Sequence, residues 1–269
     1  MKIARYQFQD AIHYGVLEGD HLLRLPGSPF DGLTSTGQTD ALADARLLCP
    51  LPAPRLFAIG MNYIGHIAEA GAKTPEIPQI FMMPTTAAIG PDEPIVRPLE
   101  AQMVHHEAEL AIVIGGKGRR IREEDALDHV LGYTCANDVS ERVIQGREMP
   151  YGCLMIGKAF DSFCPLGPVI ATGLDPANLG VRAHVNGVLR QQGNTSDLLF
   201  SVPFIIAYLS QAVTLLPGDV ILTGTPSGVG PLLAGDVCDI SIDGIGTLRN
   251  PVVDEAARHL RAMPAPRAS

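Results

Sequence analysis

The chain has 269 residues, a formal net charge of −9, and 46% hydrophobic against 18% charged residues. This length fits one large domain or one domain with a small appendage, and the composition is ample for a sizeable core. The acidic balance, and a longest basic cluster of only residues 117–120, argue against a nucleic-acid or anionic-membrane partner, so we expect a small-molecule ligand.

The N-terminus lacks the apolar region of a signal peptide, and no apolar run reaches the roughly 18 residues that suggest a membrane span. We therefore expect a cytoplasmic protein with no membrane partner. The five cysteines are scattered without a C-x-x-C pair, which predicts reduced core residues and no disulfide frame or zinc cluster.

The first fifty residues have the pattern of a small β-rich unit. Residues 3–8, 11–17 and 21–25 are predicted strands, and residues 40–48 are predicted to form a short amphipathic helix. Prolines 50, 52 and 54 then form a stiff boundary. We predict a small N-terminal domain over 1–50, a catalytic domain over 51–255 and a frayed tail over 256–269.

A short helix is predicted after the apolar strand 56–59, with Asn62 as its cap and Gly71 at its end. His66 and Glu69 are three residues apart and share one face of this helix. A carboxylate that orients an imidazole makes it a general base for water. The alternative is an ordinary surface contact between the two side chains.

Two acids precede a predicted strand, residues 110–114, that is apolar on both faces. Because alternate side chains of a strand point to the same face, Glu107 and Glu109 converge. They would repel unless one is protonated, a basic side chain pairs with them, or a cation lies between them. The alternative is a solvated Glu107 and a salt-bridged Glu109.

A third acid, Asp138, follows the predicted strand 133–136 and shares a helical face with Arg142 and Gln145. The end of a strand is a place where functional groups are often presented. The alternative is that Asp138 caps the following helix, with Glu141 as its capping-box partner. A short helix with acids in its first turn is predicted upstream, over 122–132.

Lys158 is one of only two charged residues in the apolar segment 149–169. Such a lysine either extends its amine to solvent or faces a site that needs a cation, and desolvation is expected to lower its pKa. The glycine at 146 and the residues up to 152 are predicted to form a flexible lid.

Three features of the last third are predicted to be scaffold or anion contacts. Residues 181–189 form a hairpin that turns at Asn186 and Gly187, and residues 198–216 form an apolar helix. The glycine-rich loop 223–230 follows a strand and offers N–H groups and Thr225 to an anion, with a carboxylate as the best candidate. It lacks the P-loop and dinucleotide patterns, and a plain turn is the alternative.

The order of these motifs resembles the fumarylacetoacetate hydrolase family over about residues 55–251. The motifs are Gly60-x-Asn62-Tyr63-x-x-His66-x-x-Glu69, Glu107-x-Glu109-Leu-Ala-x-Val-Ile-Gly, Asn137-Asp138-Val-Ser-x-Arg142-x-x-Gln145, Gly157-Lys158-x-Phe-Asp, and Thr223-Gly224-Thr225-Pro-x-Gly-Val-Gly. The resemblance implies a mixed β-roll fold of the α+β class, usually a homodimer. It also implies a divalent metal, Mg²⁺ or Mn²⁺ with Ca²⁺ as a further option, held by Glu107, Glu109 and Asp138.

The resemblance further implies roles for the remaining motif residues. Lys158 would contact the enolate or carboxylate of the substrate, and Thr225 with Gly224 would bind its carboxylate. Arg142 and Gln145 would contact the acyl end, and His66 with Glu69 would activate water. The sequence departs from the common pattern at two positions, which carry His106 in place of an aromatic residue and Met83 in place of a lysine.

The expected function is a metal-dependent hydrolase that cleaves the C–C bond of a 2,4-dioxo acid, an acylpyruvate or fumarylpyruvate, to pyruvate and a carboxylic acid. An all-oxygen acidic site suits a hard cation with room for a chelating 2-oxo acid. The alternatives on one scaffold are decarboxylation of oxaloacetate and hydration or isomerisation of ring-cleavage products. A Schiff-base lyase using Lys158 and a catalytically silent metal-binding module are more distant alternatives.

Overall fold

The computed structural model describes residues 1–256, and they form the expected strand-rich α+β fold with few helices and open sheets. The predicted tail over 256–269 lies outside the described residues except for residue 256. No helix within residues 1–256 has the length and apolar character that crossing a membrane requires.

The secondary structure of the described residues follows the chain in short elements. The strands are β1 Lys2–Phe8, β2 Ala11–Glu18, β3 His21–Arg24, β4 Thr39–Ala41, β5 Arg46–Leu47, β6 Leu56–Gly60, β7 Gln79–Met83, β8 Ala88–Ile89, β9 Ile95–Arg97, β10 Val104–His106, β11 Ala108–Ile114, β12 Val130–Asn137, β13 Ser140–Glu141, β14 Cys164–Ala171, β15 Gly180–Val185, β16 Val188–Asn194, β17 Val220–Leu222, β18 Gly230–Pro231, β19 Val237–Ile242 and β20 Gly246–Asp254. The α-helices are α1 Ile64–Glu69, α2 Arg142–Glu148 and α3 Val202–Ala212. The 3₁₀-helices are Leu42–Asp44, Thr85–Ala87, Glu123–His129, Met149–Tyr151, Ile156–Lys158 and Thr195–Asp197.

The N-terminal strands continue the largest sheet of the molecule. That twelve-stranded sheet has the order β4-β3-β2-β1-β14-β12-β11-β17-β6-β7, with β5 and β8 paired at its side. The three predicted N-terminal strands are confirmed, and β1 joins the sheet by antiparallel pairing with β14. The domain boundary near residue 50 stays a prediction.

The predicted helix over residues 40–48 is wrong. Its place is taken by strand β4, the 3₁₀-helix Leu42–Asp44 and strand β5. The reason is Asp40, whose buried carboxylate accepts hydrogen bonds from Tyr6 Oη at 2.6 Å and Arg24 Nη2 at 2.7 Å. These contacts favour strand pairing of β4 with β3 over the local amphipathic pattern.

Strand β11 lies at the centre of the large sheet, between β12 and β17, and all seven of its residues are buried. Ile112 and Ile114 pack into the larger apolar cluster, which includes α3, whereas Ala111 and Val113 pack into a second cluster on the opposite face. This confirms the prediction of a strand buried on both sides. Glu107 and Glu109 alternate with the same spacing as Ala111 and Val113, so their side chains point to the same face as those two residues.

The chain passes from one sheet to another at Glu107. Strand β10 belongs to a three-stranded sheet, β13-β10-β18, and β11 belongs to the twelve-stranded sheet. At the junction, side-chain amides accept from two successive backbone N–H groups. Glu107 N donates to Asn137 Oδ1 at 2.9 Å, and Ala108 N donates to Gln191 Oε1 at 3.0 Å.

A five-stranded sheet, β16-β15-β19-β20-β9, packs beside this region. The predicted hairpin is confirmed, because Asn186 and Gly187 turn between β15 and β16 with φ of 52° and 76°, the left-handed values such a turn needs. The predicted apolar helix is confirmed as the shorter α3, and the predicted helix near 122–132 is a 3₁₀-helix.

The cysteines depart in part from the prediction of five core residues. Cys135, Cys164 and Cys238 are buried, but Cys49 is half-buried and Cys153 is exposed. All five are free thiols.

Candidate active site

Three buried acids form the centre of the site. Oxygen atoms of Glu107, Glu109 and Asp138 all lie within 4.8 Å of one another. Pairing of Ala108 with Asn137 places Asp138 beside Glu107, and Asp138 N donates to Glu107 O at 3.0 Å. The three acids are between 2% and 4% exposed, so the alternative of a solvated Glu107 is wrong.

Two cationic side chains compensate the acids. Lys158 Nζ lies 2.7 Å from Glu107 Oε2 and 2.6 Å from Asp138 Oδ2, and Arg142 Nη2 lies 2.6 Å from Glu107 Oε1. The ammonium of Lys158 also lies 5.5 Å from the ring centroid of Phe81. Lys158 is 3% exposed, so it faces the site and does not extend to solvent.

Asp138 does not cap the following helix. Glu141 is the N-cap of α2, and its carboxylate accepts a hydrogen bond from Ile144 N at 2.6 Å. Asp138 Oδ1 is buried and has no hydrogen-bond partner among the described residues. The carboxylate of Asp138 is therefore available to the site.

The expected lowering of the Lys158 pKa is wrong. Burial disfavours the ammonium, but the carboxylates of Asp138 and Glu107 outweigh burial and raise the pKa of Lys158 above its ordinary value. Lys158 is thus an ammonium at neutral pH.

The three acids differ in their pKa values because the cations are unevenly shared. Burial alone raises the pKa of Glu107, but Lys158 and Arg142 outweigh it and hold that pKa well below its usual range. Burial, together with the charges of Asp138 and Glu107, raises the pKa of Glu109. Burial and the charge of Glu107 outweigh Lys158 at Asp138 and raise its pKa to about 6.

This donor set fits a divalent cation. Buried carboxylates with raised pKa values carry repulsion that a cation relieves, and oxygen ligands suit hard divalent ions. Two ligand groups are free. Asp138 Oδ1 is unpartnered, and Glu109 has no ion pair with Lys, Arg or His within the described chain. Glu107, Glu109 and Asp138 are the residues that would hold it.

A histidine of helix α1 lines the same pocket, and a glutamate of that helix contacts it. His66 Nδ1 lies 3.1 Å from Glu69 Oε2, and Glu69 Oε1 accepts from Gly228 N at 2.9 Å. The pocket brings together the predicted site residues, except Glu69 and Gly224, and several apolar side chains. Its lining residues are Ile59, Gly60, Met61, His66, Gln79, Phe81, Glu107, Glu109, Asp138, Arg142, Gln145, Met149, Leu154, Lys158 and Thr225.

The predicted cap of α1 is wrong, although Gly71 follows its end with a φ of 61°. Residue 63 is the N-cap and makes no side-chain cap bond. The Asn62 side chain is fully buried and donates to Thr223 O at 2.8 Å and Phe200 O at 3.1 Å. Asn62 therefore fixes the start of the His66 segment against the loop that follows β17.

The loop after β17 supports the acids directly. Gly224 N donates to Glu109 Oε2 at 2.6 Å, and the Thr225 hydroxyl donates to Ala108 O at 2.9 Å. Both donors are thus used by protein acceptors. Binding of a substrate carboxylate by Gly224 and Thr225 stays a prediction, and it requires Thr225 to redirect its only hydroxyl proton.

Arg142 and Gln145 also line the pocket. Arg142 Nη1 donates to Gln145 Oε1 at 2.8 Å, so the two side chains form one polar surface. The predicted lid over 146–152 contains the end of α2 and the 3₁₀-helix Met149–Tyr151, and Met149 reaches the pocket. Its closing stays a prediction.

Sequence reasoning missed Gln191 and gave no role to Asn137. Both are buried and hydrogen-bond the backbone on either side of Glu107. No local pattern marks Gln191, because β16 does not alternate regularly and Gln191 is the one buried residue among its seven. The two departures are also explained, since Met83 packs in the second apolar cluster and His106 contacts Gln191.

Comparison with known proteins identifies the family and the fold. The model of the fumarylacetoacetate hydrolase C-terminal domain matches residues 55–253, and an Rv2993c-like N-terminal model matches residues 1–50. The chain belongs to the fumarylacetoacetate hydrolase family. The acids, the lysine and the histidine–glutamate pair all lie within the matched family domain.

Relatives of this family member carry several reaction names. A mitochondrial oxaloacetate tautomerase of Xenopus laevis is 49% identical over 77% of this chain and 68% of that protein. The structure of a 5-carboxymethyl-2-hydroxymuconate delta-isomerase from Mycobacterium smegmatis is 45% identical, with a TM-score of 0.88 over 95% of this chain and 100% of that chain. The structure of a maleylpyruvate hydrolase from Sphingobium sp. SYK-6, in complex with manganese(II) and pyruvate, is 35% identical. Its TM-score is 0.79, over 94% of this chain and 99% of that chain.

Proposed function

We propose that this chain is a divalent-metal-dependent enzyme that stabilises the enolate of a short 2-oxo acid. We propose further that its reaction is hydrolysis of the C–C bond of a 2,4-dioxo acid, such as an acylpyruvate or fumarylpyruvate, to pyruvate and a carboxylic acid. One observation carries the proposal. The buried acid cluster, Lys158 and His66 line a single pocket, and Glu69 contacts the His66 ring.

The proposed cation is Mg²⁺ or Mn²⁺, with Ca²⁺ as a further option. Carboxylate oxygens are the ligands these ions prefer. The relative that binds manganese(II) and pyruvate supports both the cation and a 2-oxo acid ligand. When bound, such a cation supplies Lewis-acid polarisation of the 2-oxo group.

Lys158 would stabilise the negative charge that develops on the 2-oxo oxygen as the C–C bond breaks. A buried ammonium acts strongly there, because the surrounding dielectric constant is low and no solvent must reorganise. The two carboxylates that contact Lys158 keep it protonated.

His66 would remove a proton from the water that attacks the distal carbonyl. In the neutral ring, Nδ1–H directed at Glu69 Oε2 leaves the lone pair on Nε2 as the base. Glu69 is itself fixed by Gly228 N, so the ring has a defined orientation. Arg142 and Gln145, which line the same pocket, would bind the acyl end of the substrate.

A second candidate reaction is tautomerisation of oxaloacetate. The 49% identity to an oxaloacetate tautomerase favours it. This reaction uses the same enolate, but His66 would move a proton to or from carbon and no water would be consumed. Decarboxylation of oxaloacetate and isomerisation of ring-cleavage products also pass through an enolate.

The test is a substrate panel with metal-free protein reloaded with Mg²⁺ or Mn²⁺. Acylpyruvates, fumarylpyruvate and oxaloacetate are compared by release of pyruvate, release of CO₂ and decay of the enol absorbance. Pyruvate with a carboxylic acid and no CO₂ supports hydrolysis. Faster enol decay of oxaloacetate without pyruvate would instead establish the tautomerase, and full activity without metal would overturn the shared part of the proposal.

A further inference from the structure

Gln191 is a fully buried amide that connects strand β16 to two parts of the site. Its Oε1 accepts from Ala108 N at 3.0 Å and contacts His106 Nδ1 at 2.9 Å. Its Nε2 donates to Thr225 Oγ1 at 2.8 Å and Pro226 O at 2.7 Å. One side chain thus contacts the chain around the first acid and the loop after β17.

The orientation of this amide is set by its partners. A backbone N–H such as that of Ala108 can only donate, and a carbonyl such as that of Pro226 can only accept. Oε1 must therefore face Ala108 and Nε2 must face Pro226. It follows that His106 carries its proton on Nδ1 and that Thr225 accepts from Gln191 while it donates to Ala108 O.

This network supplies hydrogen bonds at the position of Glu107, where the chain changes sheets. Among the described residues, the neighbouring backbone holds only the carbonyl of Glu107, through Asp138 N. Asn137 accepts from Glu107 N, and Gln191 contacts the residue on each side of Glu107. The direction of Glu107 therefore depends in part on side-chain amides.

We propose that Gln191 is a positioning residue that sets Glu107 for cation binding and Thr225 for the substrate side of the pocket. The proposal rests on the proposed function in that Glu107 is taken as a metal ligand. Within the described residues, Gln191 makes no hydrogen bond to the side chain of any of the three acids. It therefore acts through the backbone and through Thr225.

The test compares Gln191→Met with Gln192→Met. The two glutamines are neighbours on β16, but Gln192 is exposed and Gln191 is buried, which makes Gln192 a matched control. Calorimetry of Mn²⁺ binding to the purified full chain is the readout, because it needs no substrate. Loss of groups that orient metal ligands lowers affinity by roughly 10- to 100-fold, which is the loss expected for Gln191→Met. Gln192→Met should bind Mn²⁺ as the wild type does.

A milder variant covers the case in which Gln191→Met does not fold. Gln191→Asn keeps an amide but is one methylene too short to reach Ala108 N and Pro226 O together, and it should show a smaller loss of Mn²⁺ affinity. Unchanged Mn²⁺ affinity in a folded Gln191 variant would overturn the proposal. Failure of the proposed reaction would appear differently, as wild-type protein that binds Mn²⁺ and turns over no 2-oxo acid.

Discussion

The Lys158 ammonium lies 2.6 Å from the Asp138 carboxylate in a part of the site that is closed to solvent. Lys158 and Arg142 together offset two of the three acid charges, which leaves one net negative charge. A divalent cation changes that balance to one net positive charge. The pocket therefore attracts a cation first and an anionic 2-oxo acid second.

Mn²⁺ affinity should fall as the pH falls through about 6, because the pKa of Asp138 in the metal-free protein is raised to about 6 and the cation must displace that proton. Below that pH, one displaced proton lowers affinity about tenfold per pH unit. The raised pKa of Glu109 adds to the effect in the same direction. Calorimetry across this range measures the slope. Asp138→Asn should bind weakly and show a flatter dependence; an equal slope in this variant would contradict the assignment.

Glu109→Gln should lower Mn²⁺ affinity by at least about 100-fold, since removal of a ligand costs more than removal of its supporting groups. The metal-free protein should keep or increase its melting temperature. A carboxyl whose pKa is raised in the fold lowers stability at every pH above its ordinary pKa, because unfolding lets it ionise, and the neutral amide removes this cost. The amide oxygen can still accept from Gly224 N. Calorimetry with thermal melts checks both effects, and wild-type affinity would exclude Glu109 as a ligand.

Lys158 should form no covalent adduct with substrate. Schiff-base formation needs a neutral amine, but two carboxylates raise the pKa of Lys158 and hold it as an ammonium. Reduction with borohydride in the presence of oxaloacetate, followed by mass spectrometry, tests this point. Lys158→Arg should lower kcat by about 10²-fold or more, because a planar guanidinium does not replace a compact ammonium. A mass increase on the Lys158 peptide would refute the electrostatic role.

His66→Ala should lower kcat for acylpyruvates by about 10²- to 10⁴-fold if the enzyme is a hydrolase. Decarboxylation of oxaloacetate should fall much less, since it needs no activated water. Glu69→Gln should give an intermediate loss, because the amide can still contact His66 and accept from Gly228 N. Steady-state kinetics on both substrates provide the comparison. Equal losses on both would mean that His66 positions the substrate, and the hydrolase proposal would lose its main support.

The sequence was most informative where local pattern and burial agree. The continuous apolar run of β11 predicted its burial on both faces, and Asn186-Gly187 predicted the β15–β16 hairpin. Residue types and order also brought the acids, Lys158 and His66 to one proposed site, and the structure places them in one pocket.

Other features depended on contacts that no local pattern encodes. Asp40 is in a strand because Tyr6 and Arg24 contact its carboxylate, and neither partner is its neighbour in sequence. The pKa of Lys158 moves opposite to the desolvation expectation because Asp138, twenty residues earlier, is folded against it. Gln191 was missed for the same reason, since its partners lie more than thirty residues away.

The pairing of β1 with β14 has a consequence for how the large sheet ends. Without the N-terminal strands, the backbone groups at the Ala171 end of β14 would form an open edge able to pair with another chain. With them, the sheet ends at β4, which is only three residues long and holds the buried Asp40–Arg24 ion pair. A short, charged terminal strand is a poor template for further pairing, so the first fifty residues protect the catalytic sheet from edge-to-edge aggregation.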